Sequence, residues 1–136
     1  MPEPDLQMLR ELVPFAATLD IEMLEAGPDL VSARLGWAPE LCTMGGLMHG
    51  GVLMALADNG GGTCAYMNLP EGATGTATIE SKTNFMRPVR EGAVTATSRP
   101  LHRGHTLIVV ETEVLREDGK LAAKVTQTQA FHYPRS

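Results

Sequence analysis

HGGVLMALADNGGGTCAYM, from His49 to Met67, is the stretch whose reading decides the fold. Leu53, Leu56, Ala57, Gly60, Cys64 and Met67 recur in it at helical spacing. Val52, Met54, Ala55, Gly62 and Ala65 fill the remaining faces, so no charged stripe is left for water. The pattern predicts a helix covered on all sides. Its one ionisable group is Asp58, a residue of poor helix propensity whose carboxylate is costly to bury without partners. Two continuations are open at this point. Either the helix stops at Asn59 and Asp-Asn-Gly-Gly-Gly forms a cap and loop, or it runs on through Gly60 and Gly62 at about 1 kcal/mol per glycine because another backbone approaches closely there. On the second reading Asp58 faces a site.

Upstream of this stretch, Leu6, Leu9, Leu12 and Val13 lie at helical spacing, with Asp5 as N-cap and Pro14 as stop. Leu19–Glu25 and Asp29–Trp37 read as a hairpin joined by Ala26-Gly27-Pro28. The segment Ala38–Met48 lacks periodicity and is expected to be a loop leading into the helix. Downstream, nearly everything reads as strand. In Thr76–Met86, Ala77, Ile79, Ser81, Thr83 and Phe85 are expected on one face and Thr78, Glu80, Lys82 and Asn84 on the other. Further strands are expected at Ala93–Arg99, at His105–Leu115 with Ile108, Val110 and Val114 on one face, and at Leu121–Tyr133 after the Glu117-Asp118-Gly119-Lys120 turn. The fold class is α+β, with an antiparallel sheet laid against one apolar helix in a single domain spanning 1–136. One sheet covers one side of that helix, so its other side calls for a second copy of the chain.

The 136 residues, 43% of them hydrophobic, suffice to bury one core. A net charge of −5 argues against general nucleic-acid binding, and no apolar run reaches the ~18 residues of a membrane span. The N-terminal Met-Pro-Glu-Pro-Asp does not read as a secretion signal, so a cytoplasmic protein is expected. Cys42 and Cys64 fit no disulfide or metal spacing, the four histidines form no ligand set, and no serine sits in a nucleophile elbow. Neither a metal nor a cofactor is expected.

The helix N-terminus at His49-Gly50-Gly51 offers unpaired N–H groups and the positive end of the macrodipole, a place for an anion or a developing oxyanion. Glycines there let a ligand approach the backbone. Asp58 supplies the complementary half of an acyl-transfer site, as nucleophile or as base. Gly50 and Asp58 are eight residues apart in the chain. At 1.5 Å per residue they stand about 12 Å apart along one helix, too far to flank one carbonyl carbon. If both act on one substrate, Asp58 comes from a neighbouring antiparallel helix, and catalysis needs at least a dimer.

At these residues the chain resembles the hot-dog-fold acyl-CoA thioesterases, in particular their PaaI-like, phenylacetate-pathway branch. The resemblance rests on His49-Gly50-Gly51, Leu56-Ala57-Asp58, Asn84-Phe85-Met86-Arg87-Pro88 and His102-Arg103-Gly104, and covers about Asp20 to Tyr133. It implies a curved antiparallel sheet wrapped around one long central helix, here with a short N-terminal helical extension over 1–18. It further implies dimers that often pair into tetramers, and cofactor-free hydrolysis of acyl-CoA to acid and coenzyme A. By the same match Gly50 polarises the thioester carbonyl, His49 helps to orient it, the partner's Asp58 is nucleophile or base, and Thr78 places a hydroxyl near the attacking water. Close relatives often carry Asn six residues before the histidine, where this chain has Thr43.

Gly51, Asn59 and Met48 are the further candidates for substrate contact, Met48 as part of an adaptable acyl pocket with Met44 and Met54. Among Arg87, Arg90, Arg99 and Arg103, the first two and Arg103 are candidates for the coenzyme A phosphates; the alternative is a solvated strand rim. The bland role for His49 is that of a helix-entry residue. The expected function is hydrolysis of a medium-chain or aromatic acyl-CoA. The alternatives are a hot-dog hydratase and a non-catalytic acyl-CoA-binding module, the latter disfavoured because binding alone has no use for Asp58.

Overall fold

A computed structural model describes residues 5–135. Two short helices open it, α1 (Leu6–Glu11) and α2 (Pro14–Thr18). Asp5 caps α1 as expected, its carboxylate accepting from the Gln7 and Met8 N–H groups. Pro14 does more than stop α1. It occupies the first turn of α2, where a residue without an N–H loses nothing. The chain then turns through Asp20, whose φ of 58° is left-handed, and Arg10 reaches that aspartate at 2.6 Å. This turn delays the first strand to β1 (Glu22–Ala26), shorter than the expected Leu19–Glu25.

The remaining strands are β2 (Val31–Gly36), β3 (Gly75–Phe85), β4 (Ala93–Arg103), β5 (Leu107–Arg116) and β6 (Leu121–His132). Together they form one six-stranded antiparallel sheet in the order β1-β2-β4-β5-β6-β3. Its concave face holds α3 (Gly50–Tyr66), so the α+β architecture and the curved sheet around one long helix are as the sequence predicts. Strand β4 runs past Arg99 to Arg103 and accommodates Pro100 at a bulge between Pro100 and His102. The loop Ala38–Met48 contains two single-turn 3-10 segments, Pro39–Leu41 and Met44–Gly46.

Alternation fills the core. Val31, Ala33 and Leu35 of β2, Val94 and Ala96 of β4, and Ile108, Val110 and Val114 of β5 are buried against Leu53, Leu56, Ala57 and Cys64 of α3. Each large aliphatic side chain so buried contributes about 1.5–3 kcal/mol. Helix α3 does not end at Asn59. It continues through all three glycines, and the reason is a close approach by side chains rather than by backbone. A Cβ on Gly60 would lie 2.7 Å from Ser98 Oγ, and one on Gly61 would lie 2.1 Å from Gln127 Nε2.

Within one chain the sheet covers one side of α3: Gly51, Met54, Asp58 and Tyr66 form an exposed stripe on the side away from it. One expectation is corrected: the face assignment along β3 changes midway. A bulge between Thr78 and Glu80 inserts Ile79, so Thr78 sits opposite Gln129 while Ser81 sits opposite Gln127 and Thr83 opposite Val125. The partners on β6 are buried, so Thr76 and Thr78 face α3 before the bulge, and Ser81, Thr83 and Phe85 face it afterwards.

Candidate active site

At the entry to α3, from His49 to Leu53, four of the five N–H groups meet an acceptor. His49 N–H donates to the Leu41 carbonyl, Gly51 N–H to His49 Nδ1 at 2.8 Å, and Val52 and Leu53 N–H to the His49 carbonyl. Gly50 N–H is the one in this first turn that meets no acceptor among the described residues. His49 therefore has a helix-capping role, with Nδ1 as acceptor and its proton on Nε2. That capping also consumes the Gly51 N–H, which leaves Gly50 as the free donor at the positive helix end.

Beside this amide lies a pocket of about 340 Å³ lined by Thr43, Leu47, Met48, Gly50, Phe85 and Arg87, among others. The Phe85 ring closes one side, and a Cβ on Gly50 would stand 3.0 Å from it. Thus Thr43, Met48, Gly50 and Arg87 come together as the sequence suggested. Met44 is 90% exposed and lies outside this pocket. Arg90 faces a separate polar depression with Glu91, Arg116, Glu117 and Asp118. Arg103 lies at the far end of the helix, where it donates to the Pro28 carbonyl and pairs with Asp29. The arginines near the site therefore divide between the two ends of α3, about 25 Å apart at 1.5 Å per residue.

Two turns along α3 from Gly50, Asp58 opens on a second pocket of about 370 Å³ whose walls are mostly apolar: Leu9, Leu12 and Val13 from the N-terminal segment, Tyr66 and Gly62 from α3, with Asn59, Thr63 and Thr76. Thr78 Oγ1 donates to Asp58 Oδ1 at 2.9 Å. Asn59 Nδ2 points instead to Met23 Sδ, 3.5 Å away on β1. Sequence reasoning found the carboxylate and the hydroxyl but missed what stands behind them. Gln129, 1% exposed, donates from Nε2 to Thr78 Oγ1 and accepts from Thr76 Oγ1 at 3.1 Å. The signal was present in the odd-numbered Gln127 and Gln129, which continue the inward register of Val125.

A carboxylate fixed beside an apolar pocket can serve as nucleophile or base, and a free helix-terminal amide beside another can serve as an oxyanion donor. The family model of the thioesterase superfamily matches residues 45–123, which hold both groups. The chain belongs to the thioesterase superfamily. This thioesterase is 31% identical over 113 residues to the 1,4-dihydroxy-2-naphthoyl-CoA hydrolase of Escherichia coli, covering 83% of this chain and 82% of that one. A crystal structure of a thioesterase from Haemophilus influenzae superposes with a TM-score of 0.89 at 28% identity, covering 97% of this chain and 93% of that one. The PaaI protein of the E. coli phenylacetic acid degradation operon shares the fold, with a TM-score of 0.83 at 20% identity over 92% of this chain and 88% of that one. The hot-dog architecture and thioester hydrolysis follow from this membership.

Elsewhere in the thioesterase, burial pushes the Cys64 thiol up to about 11, partly offset by the nearby Arg103. Both cysteines are free. Among the described residues no three His, Cys, Asp or Glu side chains gather as a metal site, and no helix is long and apolar enough to cross a membrane.

Proposed function

We propose that this thioesterase hydrolyses a medium-chain or aromatic acyl-CoA to the free acid and coenzyme A, at a site completed by a second copy of the chain. The observation that carries the reading is Asp58, held by Thr78 at the edge of an apolar pocket of about 370 Å³, a volume within the range of small-ligand sites. The acyl group fills that pocket against Leu9, Leu12, Val13 and Tyr66. The E. coli relative that hydrolyses a naphthoyl-CoA supports an aromatic acyl group among the candidates.

In the proposed reaction the Gly50 N–H of one copy donates to the thioester oxygen, where negative charge develops, and is aided by the helix dipole. Asp58 of the other copy stands on the opposite side of the carbonyl carbon. It either removes a proton from water, which then attacks, or attacks directly to form an anhydride that water opens. In both routes the C–S bond breaks and coenzyme A leaves as the thiolate, which takes up a proton. The dimer is favoured by the about 12 Å between Gly50 and Asp58 in one helix, by the open stripe containing Met54, Asp58 and Tyr66, and by β3, an eleven-residue strand paired only with β6 among the described residues. Two antiparallel helices related by a two-fold axis bring each Gly50 beside the other copy's Asp58. Dimer and tetramer both satisfy this requirement. Arg87, at the rim of the Gly50 pocket, is the arginine best situated for a phosphate of coenzyme A.

Thiol release from a panel of short, long and aromatic acyl-CoA esters tests the reading, with wild type beside Asp58→Asn. Wild type is expected to favour one medium or aromatic class, and the variant to lose about a hundredfold or more in kcat while still binding the ester. Binding of the esters by both proteins with thiol release by neither would overturn hydrolysis in favour of an acyl-CoA-binding module.

A further inference from the structure

We infer that Gln129 is a positioning residue for catalysis, acting on Asp58 through Thr78; this rests on the proposed role of Asp58. The direction of each hydrogen bond follows from the chemistry of the groups. An ionised Asp58 only accepts, so the Thr78 hydroxyl spends its single proton on Oδ1, 2.9 Å away. Its lone pairs then require a donor, and the Gln129 Nε2 amide supplies one at 2.5 Å. The amide must therefore present Oε1 to Thr76, whose hydroxyl donates to it at 3.1 Å. No other assignment of the amide satisfies all three contacts.

The chain Thr76, Gln129, Thr78, Asp58 links two adjacent strands to the helix. Thr78 and Gln129 are direct cross-strand partners, and Gln129 is also paired through its backbone with Ile108 of β5, two strands in from the sheet edge. Thr78 stands on an edge strand, at the residue before a bulge, with its own side chain exposed. Left to itself such a hydroxyl rotates among its rotamers. Gln129, 1% exposed and held at both ends of its amide, removes that freedom and so fixes where the Asp58 carboxylate points.

Gln127 provides an internal control. It lies two residues earlier on the same inward face and is equally buried, yet neither atom of its amide finds a partner among the described residues, and it packs beneath Gly61 instead. A general role in stability predicts the same behaviour for both glutamines. A positioning role singles out Gln129.

The test compares Gln129→Met, Gln127→Met, Thr78→Val and the Gln129→Met/Thr78→Val pair, with Asp58→Asn as reference. Gln129→Met is expected to lower kcat by about ten- to a hundredfold with KM little changed, and to add nothing in the Thr78→Val background, because both changes break one chain. Gln127→Met is expected to change the melting temperature without this kcat loss. Independent of turnover, the side-chain amide signals of Gln129 in ¹⁵N–¹H spectra of the unliganded protein are expected to shift on Thr78→Val, while those of Gln127 stay in place. Should Gln129→Met fail to fold, Gln129→Leu serves, since an aliphatic side chain at that buried position likewise cannot donate to Thr78. An unchanged kcat in the Gln129 variants, or losses that multiply with Thr78→Val, overturns the inference. Full activity in Asp58→Asn overturns the catalytic role of Asp58 instead, and the spectra then report on the hydrogen-bond chain alone.

Discussion

Gly50 carries two requirements in one residue. Its N–H is the free donor of the helix entry, and the absence of a side chain lets the Phe85 ring close the pocket wall. Gly50→Ala keeps the donor but pushes the tip of that half-exposed ring aside, so stability is expected to hold while kcat/KM falls by about ten- to a hundredfold, as acyl-CoA hydrolysis beside thermal melting would show. Cys64 presents the opposite case, a reactive type made inert by its surroundings. Its thiol is pushed from its ordinary value of 9.0 to about 11, first by burial. The folded state therefore keeps a proton that the unfolded state has lost, and the stability this group supports is complete below pH 9 and declines as pH rises toward 11. Denaturant midpoints measured across that interval are expected to fall with pH in wild type and to fall less in Cys64→Ala. The helical spacing around Asp58 and the glycines at His49 made the two candidate positions legible in the sequence, because few residue types would serve there. The Nδ1 cap that takes up the Gly51 N–H was not legible, since His49 serves equally well in other geometries.

At the level of the elements, α3 and the sheet fit through the glycines. Gly61→Ala brings a Cβ against the buried Gln127 amide, and the expected overpacking cost of about 1–3 kcal/mol exceeds the about 1 kcal/mol gained in helix propensity. In a Gln127→Ala background the same substitution is expected to reverse sign and become neutral or stabilising. Urea denaturation of the four proteins of this cycle measures both effects. The helix, the β1/β2 hairpin and the long β5/β6 hairpin were readable because their periods and turns are local. The glycine run left two readings open, for the residues that press on it come from Ser98 and Gln127, 38 and 66 positions downstream of their respective glycines. By residue type, glutamines in a strand read as solvent-facing; their alternation with Val125 is the one sign in the sequence that they point inward, and the register against β5 and β3 agrees with it.

For the whole molecule, the open stripe on α3 is the surface on which the proposed second copy packs. Met54 precedes Asp58 by about one turn on that stripe and is 42% exposed in the single chain. Met54→Lys places a charge where the proposed second copy packs, so sedimentation equilibrium is expected to show a shift toward monomer. Specific activity is expected to fall with dilution and to recover at high protein concentration. A variant that becomes monomeric with full specific activity would separate catalysis from assembly. The near-absence of charge on the helix is what led to the expectation of a second covering surface, and the described residues add where the single chain is open: the stripe on α3 and the outer edge of β3.

Thr78 and Phe85 are seven residues apart, an odd interval that would send their side chains to opposite faces of a regular strand. Both face inward, Thr78 toward Asp58 and Phe85 against Gly50, because Ile79 adds half a period between them. The bulge thus works as a phase shifter that lets a single strand serve two stations along α3. Pairing Ile79 into a regular ladder would send one of these two side chains to the outer face, whereas deleting it would leave them six residues apart and both inward. In this thioesterase the bulge is what reconciles an odd interval along β3 with two inward ends.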